Sequence, residues 1–304
     1  MKIVLFAPVE ANLKDINSTK DKFNRYFEKE AVKSFSCWRK NGGWLKDIPI
    51  YAICSTKATL SEETRKKFRD LNVNYIEAYQ PITETYECGF WNIPLVGKWV
   101  EENIQADAFI KIDLDMYLIN ALPENLFSNL DKSIVGLHDS AAEMHLSLIS
   151  QEYPAFKYFF NTGFTVTTPQ SKFFDLQMKY LILMEEEFKN LGVEGFKHKY
   201  GPNIVENTTR EDITGVEHRL MEEMCVSIMY NDGIPIQPIE NYYLETNEYE
   251  LDEKNNFDLN KVYFIHEHID DNLSKVNLIN QIKYKKKFGE NEGYDFFMKQ
   301  RNNN

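Results

Sequence analysis

Residues 106–120 read Ala-Asp-Ala-Phe-Ile-Lys-Ile-Asp-Leu-Asp-Met-Tyr-Leu-Ile-Asn. An apolar run leads straight into Asp113 and Asp115, one residue apart. Side chains at i and i+2 of an extended segment point the same way, so two carboxylates converge where the run ends. Such a pair repels itself unless a cation lies between, and hard oxygen donors suit Mg²⁺ or Mn²⁺. A divalent ion held there can grip a diphosphate. The plainer alternative is an acidic strand-to-loop junction facing water. His266 and His268 form a second i, i+2 pair behind an apolar run. One of them could add a neutral nitrogen ligand, or both could be surface histidines. Asn161-Thr162-Gly163 offers an amide, a hydroxyl and a glycine that lets a ligand approach the backbone, or is an ordinary turn. Glu222 and Glu223 lie in a helical pattern. Either could face inward as a base or hydroxyl ligand, or both could be at the surface.

The elements that must position these residues follow from periodicity. Short apolar runs at Ile3–Phe6, Ile48–Cys54, Val73–Ala78 and Ala108–Ile112 read as strands. Between them, Phe23, Phe27, Ala31 and Phe35 at spacings of four predict a helix over roughly 19–39, closed by Gly42-Gly43. Ser61 caps another, with Glu62 and Glu63 in its first turn. A third begins near Pro94. Strands alternating with helices predict βαβ units and a mainly parallel sheet. In such sheets ligands bind beyond the carboxyl ends of the strands, where Asp113 and Asp115 and the residues after Phe6 are expected. Further on, strands are expected at 133–137, 164–166 and 262–265, with helices over 173–188, ending before Gly192, and 217–230. Residues 245–260 and the last three asparagines read as loop and frayed end.

Composition narrows the class. At 304 residues and 43% hydrophobic content the chain can bury a substantial core. Its net charge of −12 argues against a broad basic surface, so no stable nucleic-acid complex is expected. Lys283 and Lys285–Lys287 form a local basic run that reads as a solvated helix face. Cys37, Cys54, Cys88 and Cys225 form no C-x-x-C pair, which suits reduced thiols. No apolar stretch is long enough for a membrane span or a signal-peptide core, so a cytoplasmic location is expected. No G-x-S-x-G, H-E-x-x-H or Walker A pattern is present.

Taken in order, these pieces resemble the GT-A class of nucleotide-sugar-dependent glycosyltransferases, especially the glycogenin-like and galactosyltransferase-like (family 8-type) group. The resemblance rests on the helix after Ile93-Pro94-Leu95, the run Phe109 to Asp115, the segment Leu122 to Phe127, and Phe160-Asn161-Thr162-Gly163. Glu222-Glu223 stand where that group has Asp-Gln, and His266, with His268 second, stands for its metal-binding histidine. Two departures are plain. Ile269-Asp270-Asp271 replaces the group's Gly-X-Lys-Pro-Trp, and no arginine precedes the Asp-X-Asp helix in the usual place.

The resemblance implies an α/β fold, a GT-A-type Rossmann-like mixed, mainly parallel sheet flanked by helices. It implies one domain over 1–304: a nucleotide-binding half (1–120), a sugar- and acceptor-binding half (121–280) and a C-terminal tail (281–304). The implied activity moves a sugar from a nucleotide-diphosphate donor, above all a UDP-sugar, to a glycan or other hydroxyl acceptor, with Mn²⁺ or Mg²⁺. Asp113 would touch ribose and metal; Asp115 and His266 or His268 would bind the metal. Phe6, Ala7 and Pro8 would line the uridine. Asn161, Thr162, Gly163, Glu222 and Glu223 would surround the sugar with Asp139 nearby, and Glu222 or Asp139 would serve as base if configuration is inverted. Two rivals share such a fold. A sugar-nucleotide nucleotidyltransferase would carry a Gly-rich basic first loop, where this chain has Ala7-Pro8-Val9-Glu10-Ala11-Asn12. A catalytically silent sugar-binding scaffold would bind without turnover.

Overall fold

The structure is a computed structural model that describes residues 1–9, 26–56, 59–79, 92–131, 134–138, 160–200, 218–239, 243–245, 260, 262–266 and 291–302. Strand β1 (Ile3–Pro8) is buried along its whole length. Its side chains alternate between two cores, Ile3, Leu5 and Ala7 entering one while Val4 and Phe6 enter the other. A continuous apolar run is what a strand covered on both faces needs. The first core is completed by Ala31, Phe35 and Trp38 of α1 (Tyr26–Asn41) and Phe68 of α2 (Glu62–Asp70). The second takes Val96 and Val100 of α3 (Asn92–Asn103), Phe173 and Phe174 of α4 (Phe173–Tyr200), and Met224 and Met229 of α5 (His218–Asn231).

With β2 (Ile50–Ser55), β3 (Val73–Tyr79), β4 (Ala108–Ile112), β6 (Ile134–His138), β7 (Phe160–Thr167) and β8 (Ile236–Ile239), β1 forms a seven-stranded sheet ordered β3-β2-β1-β4-β7-β6-β8. Only the pairings of β7, with β4 and with β6, are antiparallel; β3-β2, β2-β1, β1-β4 and β6-β8 are parallel. This is a Rossmann-like mixed α/β sheet, mainly parallel and flanked by helices, as the strand-helix alternation predicts.

Local signals act as expected at several ends. Ser61 Oγ accepts from the Thr64 N–H and caps α2. Buried Glu28 of α1 also accepts from the Ser61 N–H at 3.1 Å and from the Ser61 and Thr64 hydroxyls at 2.6 Å each. A carboxylate at a helix N-terminus suits the helix dipole, and here it also ties α2 to α1. Gly192 takes φ 66° and ψ 178°, so the helical path breaks there as the sequence predicts, but a second helical stretch follows to Tyr200.

Glu101, in the last turn of α3, accepts from the Thr167 hydroxyl at 3.4 Å. Withdrawal from water raises its pKa from 4.5 to about 8, with Asp175 and Glu102 adding to the rise and Thr167 opposing it. Between those values the folded chain keeps a proton that the unfolded chain has released, so stability falls as pH rises through that window. Glu101→Gln cannot ionise. It is expected to match the parent at pH 4.5 and to exceed it by about 2 kcal/mol near pH 8.5, a figure discounted for partial exposure. Urea melts at the two pH values measure the difference; equal midpoints at both would rule the effect out.

A second, three-stranded sheet forms beside the carboxyl end of β4. Its order is β5 (Met116–Leu118), β10 (Phe264–His266), β9 (Tyr243–Glu245). The C-terminal helix α6 (Glu292–Asn302) packs Tyr294, Phe297 and Met298 against Tyr117, Ile119 and Ile265 of this sheet and its margin. Sequence analysis assigns 281–304 to a tail, with a helix face only at Lys283 and Lys285–Lys287, and does not anticipate α6. Among the described residues no helix is long and apolar enough to cross a membrane.

Candidate active site

The apolar run of β4 pairs with β1 on one side and β7 on the other, and it ends at Ile112. The chain then turns: the Asp113 N–H donates to the Gly163 carbonyl of β7 at 2.8 Å, and the Met116 N–H donates back to the Asp113 carbonyl at 3.3 Å. This turn holds Asp113 and Asp115 at the tip of a central strand and sends β5 out of the main sheet. β5 then pairs antiparallel with β10, with Met116 opposite His266. The second sheet thereby delivers a histidine from far along the sequence. His266 Nε2 lies 3.5 Å from Asp115 Oδ2. The imidazole is nearly buried, whereas the Asp115 side chain keeps 29% of its surface exposed.

Asp113 has a different neighbour. Lys111 Nζ donates to Asp113 Oδ1 at 2.5 Å and to the Thr162 carbonyl at 2.7 Å. Burial is the largest influence on the Asp113 carboxyl and raises its pKa. The Lys111 ammonium opposes that rise, the Asp115 charge adds to it, and His266 opposes it. The two carboxylates therefore sense each other, but through a turn at Leu114–Asp115 and not through the extended i, i+2 alternation that their spacing suggests. Lys111 is the residue beside the acids that sequence reasoning misses. Its signal is parity with Asp113, two residues on; Asp115 follows in the turn after the strand.

Asn161, Thr162 and Gly163 fall within β7 and not in a turn preceding a strand. The pairing with β6 is nevertheless irregular there: Gly136 faces Thr165, but Leu137 faces Asn161. Asn161 Oδ1 accepts from the Gly163 N–H at 2.7 Å, so the amide shapes its own backbone. A Cβ on Gly163 would lie 2.7 Å from that oxygen and 3.2 Å from Met116 Cγ. A side chain there would have to push aside the Asn161 amide that accepts from the Gly163 N–H. Both Asn161 and Thr162 are buried.

Phe6, Ala7 and Pro8 are buried in the middle of the sheet, and the Phe6 ring packs edge-on against Phe174, with centroids 5.7 Å apart. They sit one strand from Asp113, since Phe6 pairs with Lys111. Glu223 is half-buried on α5; its carbonyl accepts from the Ser227 hydroxyl, which in turn accepts from the Phe160 N–H of β7. Glu222 lies on the same helix, its side chain outside the described residues, as are Asp139 and His268.

Among the described residues no three His, Cys, Asp or Glu side chains stand together as a metal-binding group. A pair does. One carboxylate oxygen and one imidazole nitrogen at 3.5 Å are donors that Mn²⁺ or Mg²⁺ accepts. Mg²⁺ in particular is held by one or two carboxylates together with substrate phosphates, so a two-ligand protein site fits when a diphosphate supplies the rest.

Neither a protein-family model nor a curated protein matches the chain. Among solved structures the chain is similar to the glycosyltransferase GlyE of Streptococcus pneumoniae TIGR4, at 12% identity and a TM-score of 0.42. The match covers 78% of this chain and 45% of that one, so the chain spans less than half of that structure's length. The fold assignment rests on this chain's own strand order and not on that likeness.

Proposed function

We propose that the chain is a metal-dependent glycosyltransferase that moves a sugar from a nucleotide-diphosphate donor, with a UDP-sugar the foremost candidate, to a hydroxyl acceptor. The observation that carries the reading is the meeting of Asp115 with His266 at the tip of β4, beside Asp113. Asp115 and His266 would hold Mn²⁺ or Mg²⁺, and Asp113 would touch the ion and the donor's ribose. The bound ion would neutralise charge growing on the diphosphate as the glycosidic bond breaks. The chain's own residues do the rest. The glycine at 163 lets β7 run close to the acidic turn, and the Asn161 amide fixes that course. Glu222, Glu223 and Asp139 would lie on the sugar and acceptor side, with Glu222 or Asp139 acting as base if configuration is inverted.

The test is a panel of labelled nucleotide sugars incubated with the full chain and Mn²⁺, reading release of the nucleoside diphosphate, alongside calorimetry with UDP. Release that requires Mn²⁺ is expected for at least one UDP-sugar. UDP binding without release from any donor would favour the silent scaffold, and release of pyrophosphate from a nucleoside triphosphate plus sugar phosphate would favour the nucleotidyltransferase.

A further inference from the structure

Strands β5 and β10 are three residues each, and a pair so short does not hold its own register in water. Yet that register decides the site. With Met116 opposite His266, the imidazole lies 3.5 Å from Asp115. A slip of one residue would carry it about 3.4 Å along the strand and turn it to the other face of the sheet. Something outside the pair must fix it.

The contacts that do so run to the C-terminal helix α6. The Ile119 N–H donates to the Tyr263 carbonyl at 2.8 Å and prolongs the ladder by one rung. Beyond it, the Asn120 amide donates to the Val262 carbonyl at 2.5 Å and accepts from the Asn291 amide at 3.0 Å. Asn291 Oδ1 accepts from the Tyr294 N–H at 2.8 Å, so the same side chain caps α6. One residue on, a Cβ at Gly293 would overlap the Ile119 carbonyl, so the helix start sits directly on the chain leaving β5. Farther along, the Phe297 ring lies tilted against Tyr117 with centroids 4.7 Å apart, and both are buried with Ile265, the residue opposite Tyr117. The Tyr117 hydroxyl donates to buried Glu30 of α1, so β5 is gripped between α1 and α6. Tyr117 and Ile265 belong to the face that α6 covers, whereas Met116 and His266 alternate onto the other. The helix backs the small sheet without standing on the histidine's side.

We propose that Asn120, Asn291 and Phe297 are positioning residues for the cation site: from behind the small sheet they lock β5 on β10 in the register that sets His266 against Asp115. The helix α6 is thereby a working part of the enzyme. The inference rests on the metal-dependent reading above and deepens it. A binding constellation must be held to within about 0.5 Å, and three-residue strands reach that precision only when braced.

Two measurements on the full chain test this: amide hydrogen exchange without metal, and titration with MnCl₂ followed by calorimetry. Phe297→Ala is expected to speed exchange across β5 and β10 at least tenfold, to leave β1 and β4 unchanged, and to weaken Mn²⁺ binding at least tenfold. Phe297→Leu, which keeps a large apolar body under Tyr117, should hold both within threefold of the parent. Asn291→Ser keeps an oxygen to cap α6, but its shorter side chain cannot donate to Asn120. It should weaken Mn²⁺ binding at least threefold with the helix intact, and it decides the matter if Phe297→Ala fails to fold. A merely structural helix would spread faster exchange over the whole molecule and leave the Mn²⁺ affinity of the folded variants within threefold of the parent. That result overturns the positioning role and leaves the metal-dependent reading standing. A parent chain that binds no Mn²⁺ overturns both.

Discussion

Asp115→Ala is expected to lower nucleoside-diphosphate release from the preferred donor by about a thousandfold while the protein stays folded. Neutralising a leaving diphosphate with a divalent ion contributes several kcal/mol to the transition state, and about 4 kcal/mol corresponds to a thousandfold in rate. The turn that carries Asp115 is held by backbone bonds, from the Asp113 N–H to Gly163 and from the Met116 N–H to Asp113, which an alanine leaves in place. The Asp115 side chain is also partly exposed, so truncation leaves no large cavity. Thermal melts should agree with the parent to within about 1 kcal/mol. Release rates above one-tenth of the parent's, at saturating Mn²⁺, would remove Asp115 from the mechanism.

Gly97→Ala carries the largest expected effect on stability. Gly97 lies inside α3, where alanine by propensity alone would gain about 1 kcal/mol. Packing reverses the sign. A Cβ at this position would fall 2.2, 2.4 and 2.5 Å from Cγ, Cδ1 and Cδ2 of Phe174. That ring cannot easily yield, because it is buried and packs edge-on against both Phe6 and Phe173, with centroids 5.7 and 5.1 Å away. Overpacking of this kind typically costs about 1–3 kcal/mol and sometimes more, and the crossing of α3 over α4 places this case at the upper end. A net loss of about 3 kcal/mol should lower the melting temperature by roughly 6–12 °C. The double variant Gly97→Ala with Phe174→Leu should recover part of the loss. An unchanged melt for the single variant would show that α3 and α4 can move apart at no cost.

Much of the frame is legible in the residues. The strands β1 to β4 are short apolar runs bounded by helical patterns, and burial on both faces is what makes such runs recognisable. Ser61 and Gly192 announce a helix start and a helix break through local chemistry that tertiary contacts do not override. Asp113 and Asp115 stand out because acids following an apolar strand are conspicuous. What is not legible depends on distant pairing. β5, β9 and β10 are three residues each, too short to show a period, and only their mutual pairing brings His266 to Asp115. Helix α6 is rich in polar residues, and its buried side appears only against Tyr117. The Asn161-Thr162-Gly163 segment has the composition of a turn, yet β4 and β6 on either side draw it into the sheet. Lys111 escapes notice because a charged residue in an apolar strand looks like an edge position. The carboxylate two residues away and a carbonyl from β7 are what let it sit inside.

The small sheet has a consequence for the order of folding. β5 pairs with a strand much farther along the chain than β1 lies from β4, so the meeting of Asp115 with His266 closes the longer loop. The main sheet's central pairing is therefore expected to form first, and the imidazole to reach the carboxylate only once the small sheet has closed.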